Sequence, residues 1–180
     1  MTREFIKGDK TYYLKSLSEL TPNDENKDNI LLQGIVLGNS EIEHYSRFIV
    51  MKCFGCKDVI QYSDEDYNDW RDMKPVMKCI KCGVNMVEIQ NNKDQLKKIL
   101  ISEQGKVNPI NLTAFVYGEN IHAIQPGIRI DIGGILKSRK SKPADLTYKR
   151  FFDINNFRLT DEKPLLPNET EIKMFKDMDK

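Results

Sequence analysis

Hydrophobic residues in this chain occur in short runs that are rich in β-branched residues. Loops containing Gly, Pro or Asn separate the runs, and helical periodicity is rare. Strands at this spacing, with hardly a helix between them, predict a small β-barrel or sandwich. The predicted strands cover residues 29–38, 45–52, 84–90, 97–103, 111–117, 127–136 and 146–159.

The two ends of the chain depart from this pattern. Residues 1–28 carry little apolar periodicity and end in the polar run TPNDENKDN, which predicts an arm followed by a loop. In the tail, residues 161–180, apolar residues recur at helical spacing behind Pro167, so we expect a short helix there. Within the first predicted strand, Gly34 indicates a bend or a bulge.

Four cysteines supply the strongest chemical signal. They form two CxxC pairs, Cys53 with Cys56 and Cys79 with Cys82, separated by a 22-residue spacer. Two such knuckles bring four thiolates around one ion, and the turns need small residues such as Gly55 and Gly83. A closed four-sulfur site leaves no open coordination position, so we expect one structural Zn²⁺ that holds a ribbon lobe over residues 53–83. Four unrelated buried cysteines, a rubredoxin-type iron site or a redox pair remain alternatives.

The spacer between the two pairs is acidic and contains the only tryptophan, Trp70. An acidic surface repels phosphate, so this loop is a better candidate for contacting protein than for contacting DNA. Trp70 is interpreted either as the small core of the lobe or as an exposed anchor for a partner.

The net charge is only +1, from 28 basic and 27 acidic residues, so a nucleic-acid site would have to come from local clustering. The densest basic cluster is the segment 137–150, whose middle, SKPAD, has the composition of a turn. We predict a projecting β-hairpin that contacts phosphates without reading sequence, and a solvated lysine-rich loop is the alternative. The six cations are Lys137, Arg139, Lys140, Lys142, Lys149 and Arg150.

OB barrels bind single strands through basic grooves and aromatic platforms. The candidate platforms are Tyr45, Phe48, Tyr117 and Tyr148, with burial in the core as the alternative for each. His44 and His122 lie far apart, and we find no Ser-His-Asp pattern, carboxylate pair or GxxxxGK[ST] phosphate loop. We therefore do not expect an enzyme. With no membrane-length apolar stretch and no signal peptide, a cytoplasmic protein with no membrane partner is expected.

In their order, these motifs resemble the amino-terminal domain of the MCM replicative helicases of archaea and eukaryotes. In that family an OB strand with a GIV-like motif precedes a zinc ribbon, and a KPGD-R-V-x-V-x-G-I-L motif leads into a hairpin of the central channel. Here GIV is residues 34–36, and IQPGIRIDIGGIL, residues 124–136, is similar to the later motif. FFDINNFRL resembles the returning strand, and LPNETEIKMFKDM resembles the start of the linker to the ATPase. The resemblance covers about residues 29–180.

The resemblance implies a five-stranded OB barrel over residues 29–52 and 84–160, with the zinc ribbon inserted. It implies a DNA-binding and assembly domain for replication whose hairpin lines a ring channel and grips the DNA backbone, preferring single strands without sequence preference. Arg47 would lie on the face of the barrel that binds single strands. The chains would form a ring, a hexamer, and zinc lobes would join two rings. The protein would be associated with the chromosome, in the nucleus if the source is a eukaryote.

Three parts of the family pattern differ here. Residues 1–28 leave no room for the family's helical subdomain, the loop SEQGKVNP is shorter than its counterpart, and the ATPase motor is absent. We therefore expect only an indirect contribution to catalysis. A stand-alone zinc-containing OB-fold protein that binds single-stranded DNA or RNA is the main alternative, and an adaptor that binds only protein is another.

Overall fold

The computed structural model describes residues 2–4 and 11–160, except residues 68, 104, 143 and 145. Within these ranges the chain is mainly β, as predicted, and the predicted tail helix lies outside them. The strands are β1 (Thr2–Glu4), β2 (Thr11–Lys15), β3 (Ile30–Asn39), β4 (Glu43–Cys53), β5 (Val59–Ser63), β6 (Met86–Ser102), β7 (Asn111–Tyr117), β8 (Arg129–Lys140) and β9 (Tyr148–Leu159). Short 3₁₀ turns cover Leu17–Glu19, Pro22–Asp24, Asp64–Asp66, Trp70–Asp72 and Gly118–His122. Over the described ranges, no helix has the length and apolar character needed to cross a bilayer.

The chain divides into two compact units. The barrel unit comprises residues 1–41, 97–116 and 120–180, and the ribbon unit comprises residues 42–96 and 117–119. The ribbon unit is larger than the lobe predicted over residues 53–83, because β4 and the first part of β6 pair with each other and belong to it.

Five strands of the barrel unit close into a ring of hydrogen-bonded pairs. β3 pairs with β8, β8 with β9, β9 with β7, β7 with β6, and β6 returns to β3. The β7–β9 pair is parallel, whereas β3–β8, β8–β9 and β3–β6 are antiparallel. A closed ring has no free edge, and it confirms the predicted OB-type barrel.

Apolar residues from several strands fill the barrel. Leu32, Ile101, Ile132, Leu136 and Phe152 are fully buried there, which places the inward positions of four strands in one core. Burial of each such side chain stabilises the fold by about 1.5–3 kcal/mol.

Gly34 has a different role from the predicted one. The pairing of β3 with β6 shifts between Val36 and Gly38, so the bulge predicted at Gly34 is wrong in position. A Cβ atom on Gly34 would lie 2.5 Å from Cγ2 of Ile101 and 2.7 Å from the carbonyl oxygen of Ser102. Glycine is therefore required at this position because β6 approaches closely.

The described part of residues 1–28 contains β1, β2 and two 3₁₀ turns, in the region predicted as an arm and a loop. Strand β2 pairs in parallel with β3, and Tyr12 and Leu17 are each only 3% exposed. Tyr12 packs with Leu31 on the opposite side of β3 from the barrel core. The sequence signal is weak because β2 is only five residues long.

One strand replaces two predicted ones. β6 runs without interruption over 17 residues and joins the runs predicted at 84–90 and 97–103. The polar residues between those runs pair with β4, so they remain in the ladder despite lacking the apolar pattern of a strand.

Candidate metal centre and nucleic-acid interface

The four cysteines converge in the ribbon unit. Sγ of Cys53 lies 3.3 Å from Sγ of Cys82, and Sγ of Cys56 lies 3.5 Å from Sγ of Cys79. All four sulfur atoms lie within 4.8 Å of one another. A tetrahedron with Zn–S bonds of about 2.3 Å has edges of about 3.8 Å, so these sulfurs fit a four-thiolate metal site.

Tight turns shape both knuckles. The N–H of Cys53 donates to the carbonyl of Asp58 at 2.8 Å, and the N–H of Gly83 donates to the carbonyl of Cys79 at 2.8 Å. Lys57 and Gly83, which follow the last cysteine of each knuckle, have φ of 66° and 73°. The two knuckles therefore share a left-handed turn, although only the second has a glycine at this position.

Gly55 is required for a different reason. A Cβ atom on this residue would lie 3.0 Å from Cγ2 of Val84 and 3.2 Å from Sγ of Cys82. Both glycines predicted in the knuckles thus have a geometric basis. For Gly55 it is the lack of space for a Cβ atom, and for Gly83 it is the positive φ.

Backbone amides and neighbouring sulfurs set the protonation of the site. A hydrogen bond from the backbone N–H of Cys56 lowers the pKa of the Cys53 thiol to about 7. For Cys56, the N–H of Asp58 lowers the pKa, but the nearby sulfurs, led by that of Cys79, and burial together raise it to about 12. Thiolates this close compete for protons, and a bound cation would relieve that competition.

Two cysteines are anchored in a small core and two face solvent. Cys53 and Cys79 are 0% and 3% exposed and pack with Ile49, Met51 and Met86, whereas the second cysteine of each knuckle is exposed. The metal centre therefore shares its packing with β4 and β6. This coupling is typical of structural zinc sites.

An ion pair that the sequence did not reveal joins the knuckles. Nζ of Lys81 lies 2.7 Å from Oδ1 of Asp58, and this hydrogen bond raises the pKa of Lys81. Lys81 stands within the second CxxC and Asp58 directly follows the first. The CKD and CIKC runs carry these charges, but only the folded knuckles bring them together.

Arg47 lies among carboxylates of the ribbon unit. Its guanidinium is 3.7 Å from Asp64, 3.9 Å from Glu65 and 3.9 Å from Asp94. These charges offset that of Arg47. The basic hairpin belongs to the barrel unit, so the predicted DNA-contacting residues divide between the two units.

Trp70 packs within the ribbon unit. Its ring centroid is 5.2 Å from that of Tyr45, which is itself 5.4 Å from that of Tyr117. Tyr45 is only 6% exposed, and burial, followed by nearby Asp64, raises its pKa well above the usual range. These contacts favour the core interpretation of Trp70.

The segment 137–150 spans the end of the β8–β9 hairpin. The ladder extends to the pair Lys140 and Tyr148, and side chains of directly opposed residues share a face. One face of the hairpin end carries Lys137, Arg139 and Lys149, and the other carries Lys140, Tyr148 and Arg150.

The six cations have different surroundings. Nζ of Lys137 is 2.6 Å from Oδ2 of Asp153, and both side chains are only 18% exposed. A guanidinium N–H of Arg150 donates to the carbonyl of Leu20 at 3.0 Å. The side chains of Lys142 and Lys149 are exposed. The exposed cations therefore lie towards the end of the hairpin.

Two glycines fix the base of the hairpin. The β8–β9 register shifts between Gly133 and Gly134. A Cβ atom on Gly134 would lie 2.0 Å from the carbonyl oxygen of Asp153, and one on Gly133 would lie 2.5 Å from Cε1 of Tyr12. The GGIL run thus has a steric basis, and Tyr12 is a supporting residue that the sequence did not reveal.

Exposed apolar side chains surround the metal site. Phe54 and Ile80, within the two knuckles, are 55% and 85% exposed. Met77, Val84 and Val87 of the same unit are also exposed. Large exposed apolar residues in a group are typical of an interaction surface.

Comparison with known proteins identifies the fold. The sequence matches no protein-family model and no curated protein. The structure is similar to a crystal structure of the N-terminal domain of an archaeal MCM, with a TM-score of 0.63, 16% sequence identity and 82% of this chain covered. The chain covers 61% of that structure, less than two thirds of its length. At this identity the likeness concerns the fold alone, and the chain has the fold that its motif order predicts, that of an MCM amino-terminal domain.

Proposed function

We propose that this chain is the DNA-binding and assembly part of an MCM-type replicative helicase, and that it holds DNA through the end of the β8–β9 hairpin. The observation that carries the proposal is the concentration of cations on a hairpin of an OB-type barrel, in a chain of net charge +1. Such cations contact the phosphates of a nucleic acid, so binding would depend strongly on salt concentration and little on base sequence.

The six predicted hairpin cations and Arg47 are proposed as phosphate contacts. At Lys137 a phosphate would compete with Asp153, and at Arg47 it would compete with three carboxylates. Each single-strand phosphate contact contributes about 0.7 to the slope of log K against log salt, so the six hairpin cations of one chain would reach at most about 4.2. The hairpin residues are Lys137, Arg139, Lys140, Lys142, Lys149 and Arg150.

One structural Zn²⁺, held by Cys53, Cys56, Cys79 and Cys82, completes the proposal. The ion would hold the knuckles together, since two of its ligands belong to the core of the ribbon unit. Its role would be to fold the unit and not to react, because four thiolates fill its coordination sphere.

Self-association into a ring, a hexamer, is proposed from the likeness of fold. The exposed apolar side chains around the metal site, with Phe54 and Ile80 at the knuckles, would form the contact through which two rings meet. Such a protein would be associated with the chromosome.

Light scattering on the zinc-loaded chain, with and without a long oligo-dT strand, tests the proposal, together with measurement of the zinc content. One zinc per chain and a particle of several subunits promoted by the strand are expected. A zinc-containing monomer that still binds oligo-dT would instead favour the stand-alone single-strand-binding protein. Failure to bind any oligonucleotide would refute the DNA-binding function.

A hairpin variant locates the binding surface. Lys149→Ala combined with Lys142→Ala should weaken oligo-dT binding and lower the salt slope by about 1.4, since each lost phosphate contact removes about 0.7. Lys74→Ala, at an exposed position of the ribbon unit, is the matched control and should change neither value. Equal losses in both variants would place the binding surface elsewhere.

A further inference from the structure

The end of the hairpin combines an exposed ring with cations. Tyr148 is 58% exposed, and Lys140, its direct partner in the ladder, has its Nζ 5.4 Å from the ring centroid. Arg150 lies on the same face of β9, two residues further on. Leu146, close to Tyr148 in sequence, is 92% exposed.

Tyr148 is more exposed than the other aromatic residues predicted as platforms. Tyr45 is 6% exposed, and Phe48 and Tyr117 are partly buried. Tyr45 and Tyr117 contact each other in the ribbon unit, and Phe48 is partly buried, whereas the ring of Tyr148 is largely accessible. Packing therefore does not account for an aromatic residue at position 148.

An accessible ring beside cations suits a nucleotide. Every nucleobase has a π-face that stacks on an aromatic ring, whatever the sequence. The ammonium of Lys140, attracted by the ring, lies over the face that a stacked base would take. A base that stacked on Tyr148 would replace this contact and leave the ammonium available for the phosphate of the same strand.

We propose that Tyr148 is a stacking platform for one base of single-stranded DNA, with Lys140 and Arg150 as the phosphate contacts beside it. This inference rests on the proposed function and adds a contact to the base. In duplex DNA the faces of paired bases are covered by their neighbours, so Tyr148 contributes to binding of single strands and not of duplexes. The hairpin therefore distinguishes the two forms by stacking and not by charge.

Fluorescence anisotropy with the full zinc-loaded chain tests this inference. A labelled oligo-dT strand is compared with an oligonucleotide of equal length whose bases are replaced by abasic sites, each at several salt concentrations. The variants are Tyr148→Ala, Tyr148→Phe, which keeps the ring, and Tyr13→Ala. Tyr13 is the matched control because it is 62% exposed on β2. Zinc content and the thermal midpoint show that each variant is folded.

Stacking predicts a specific set of results. Tyr148→Ala should weaken oligo-dT binding by about 5- to 150-fold, the range given by one base stacked on an aromatic residue. The salt slope and the affinity for the abasic strand should not change, and Tyr148→Phe and Tyr13→Ala should bind oligo-dT like the wild type. Lys149→Ala, by contrast, should lower the salt slope by about 0.7 on both strands.

Two other results would overturn the inference. If Tyr148→Ala weakened binding to both strands equally, or to neither, the ring would not stack a base, although the hairpin could still bind phosphates. If the wild type bound neither strand, the proposed function would fail and the stacking platform with it. Binding to the abasic strand thus distinguishes failure of the stacking inference from failure of the proposed DNA-binding function.

Discussion

The knuckles allow the zinc centre to be perturbed without touching a ligand. Gly83 has φ of 73°, and a Cβ atom there would meet no heavy atom within 4 Å. Gly83→Ala therefore introduces a backbone cost with no clash, about 1–2 kcal/mol for a residue with a Cβ atom in the left-handed region. Alanine has less freedom than glycine in the unfolded chain, which offsets about 0.5–1 kcal/mol of this cost. Because zinc binding and folding of the knuckle are coupled, zinc affinity should weaken by up to about 10-fold.

Lys57 supplies the reciprocal change at the equivalent position of the first knuckle. Lys57→Gly removes the same left-handed cost, but the greater freedom of glycine in the unfolded chain offsets about 0.5–1 kcal/mol of the gain. We expect zinc to bind somewhat more tightly than in the wild type. Gly38→Ala is a control, because a Cβ atom there meets nothing within 4 Å and its φ is not positive.

Competition with a chromogenic chelator measures zinc affinity, and Trp70 fluorescence during urea unfolding reports on the ribbon unit, where this residue lies. If both turns are held in the left-handed conformation, the two knuckle variants should change zinc affinity in opposite directions. Gly83→Ala that bound zinc as tightly as the wild type would show that the turn is not held in the left-handed conformation. A tenfold weaker zinc affinity in Lys57→Gly would likewise contradict a left-handed turn at the first knuckle.

Three further predictions concern the metal, the hairpin and acid stability. Removal of zinc with a chelator should alter the fluorescence of Trp70, and restored zinc should reverse the change; an unaltered spectrum would argue against a structural metal. Gly134→Ala should lower the thermal midpoint strongly, because its Cβ atom would meet the carbonyl oxygen of Asp153 at 2.0 Å, and a midpoint equal to that of the wild type would contradict this contact. Hydrogen bonds to the Asp24 carboxylate, of which the one from Lys15 has the largest effect, hold its pKa far below the ordinary value of 3.8. The stability that these bonds contribute is therefore present above pH 3.8 and is lost as the pH falls below that value. Asp24→Asn should reduce stability at pH 7 and flatten this loss in urea unfolding measured from pH 7 to pH 3, and an unchanged profile would refute the assignment.

What the sequence could predict depends on how local each feature is. The four-cysteine cluster follows from two CxxC pairs, because each knuckle is a short turn whose residue types are dictated by its geometry. The parallel pairing of β2 with β3 joins segments separated by a loop, and nothing in five residues of β2 specifies that partner. The polar middle of β6 is a strand only because β4 pairs with it. Gly34 was recognisable as unusual, but its reason is the approach of Ile101 from a distant part of the chain.

Net charge is a poor guide to a phosphate-binding surface in this chain because some of its cations are paired with nearby carboxylates and others lie exposed. In the ribbon unit, Arg47, which the family resemblance assigns to DNA, lies within 3.9 Å of three carboxylates. At the hairpin, Lys137 is offset by Asp153, while Lys149 lies exposed near the end. Coulomb interactions at contact distance far exceed those between groups separated by a Debye length of about 8–10 Å. A phosphate backbone would therefore respond to the local charge at the hairpin end and not to the sum of +1, so the near-neutral net charge is compatible with the proposed salt-dependent binding.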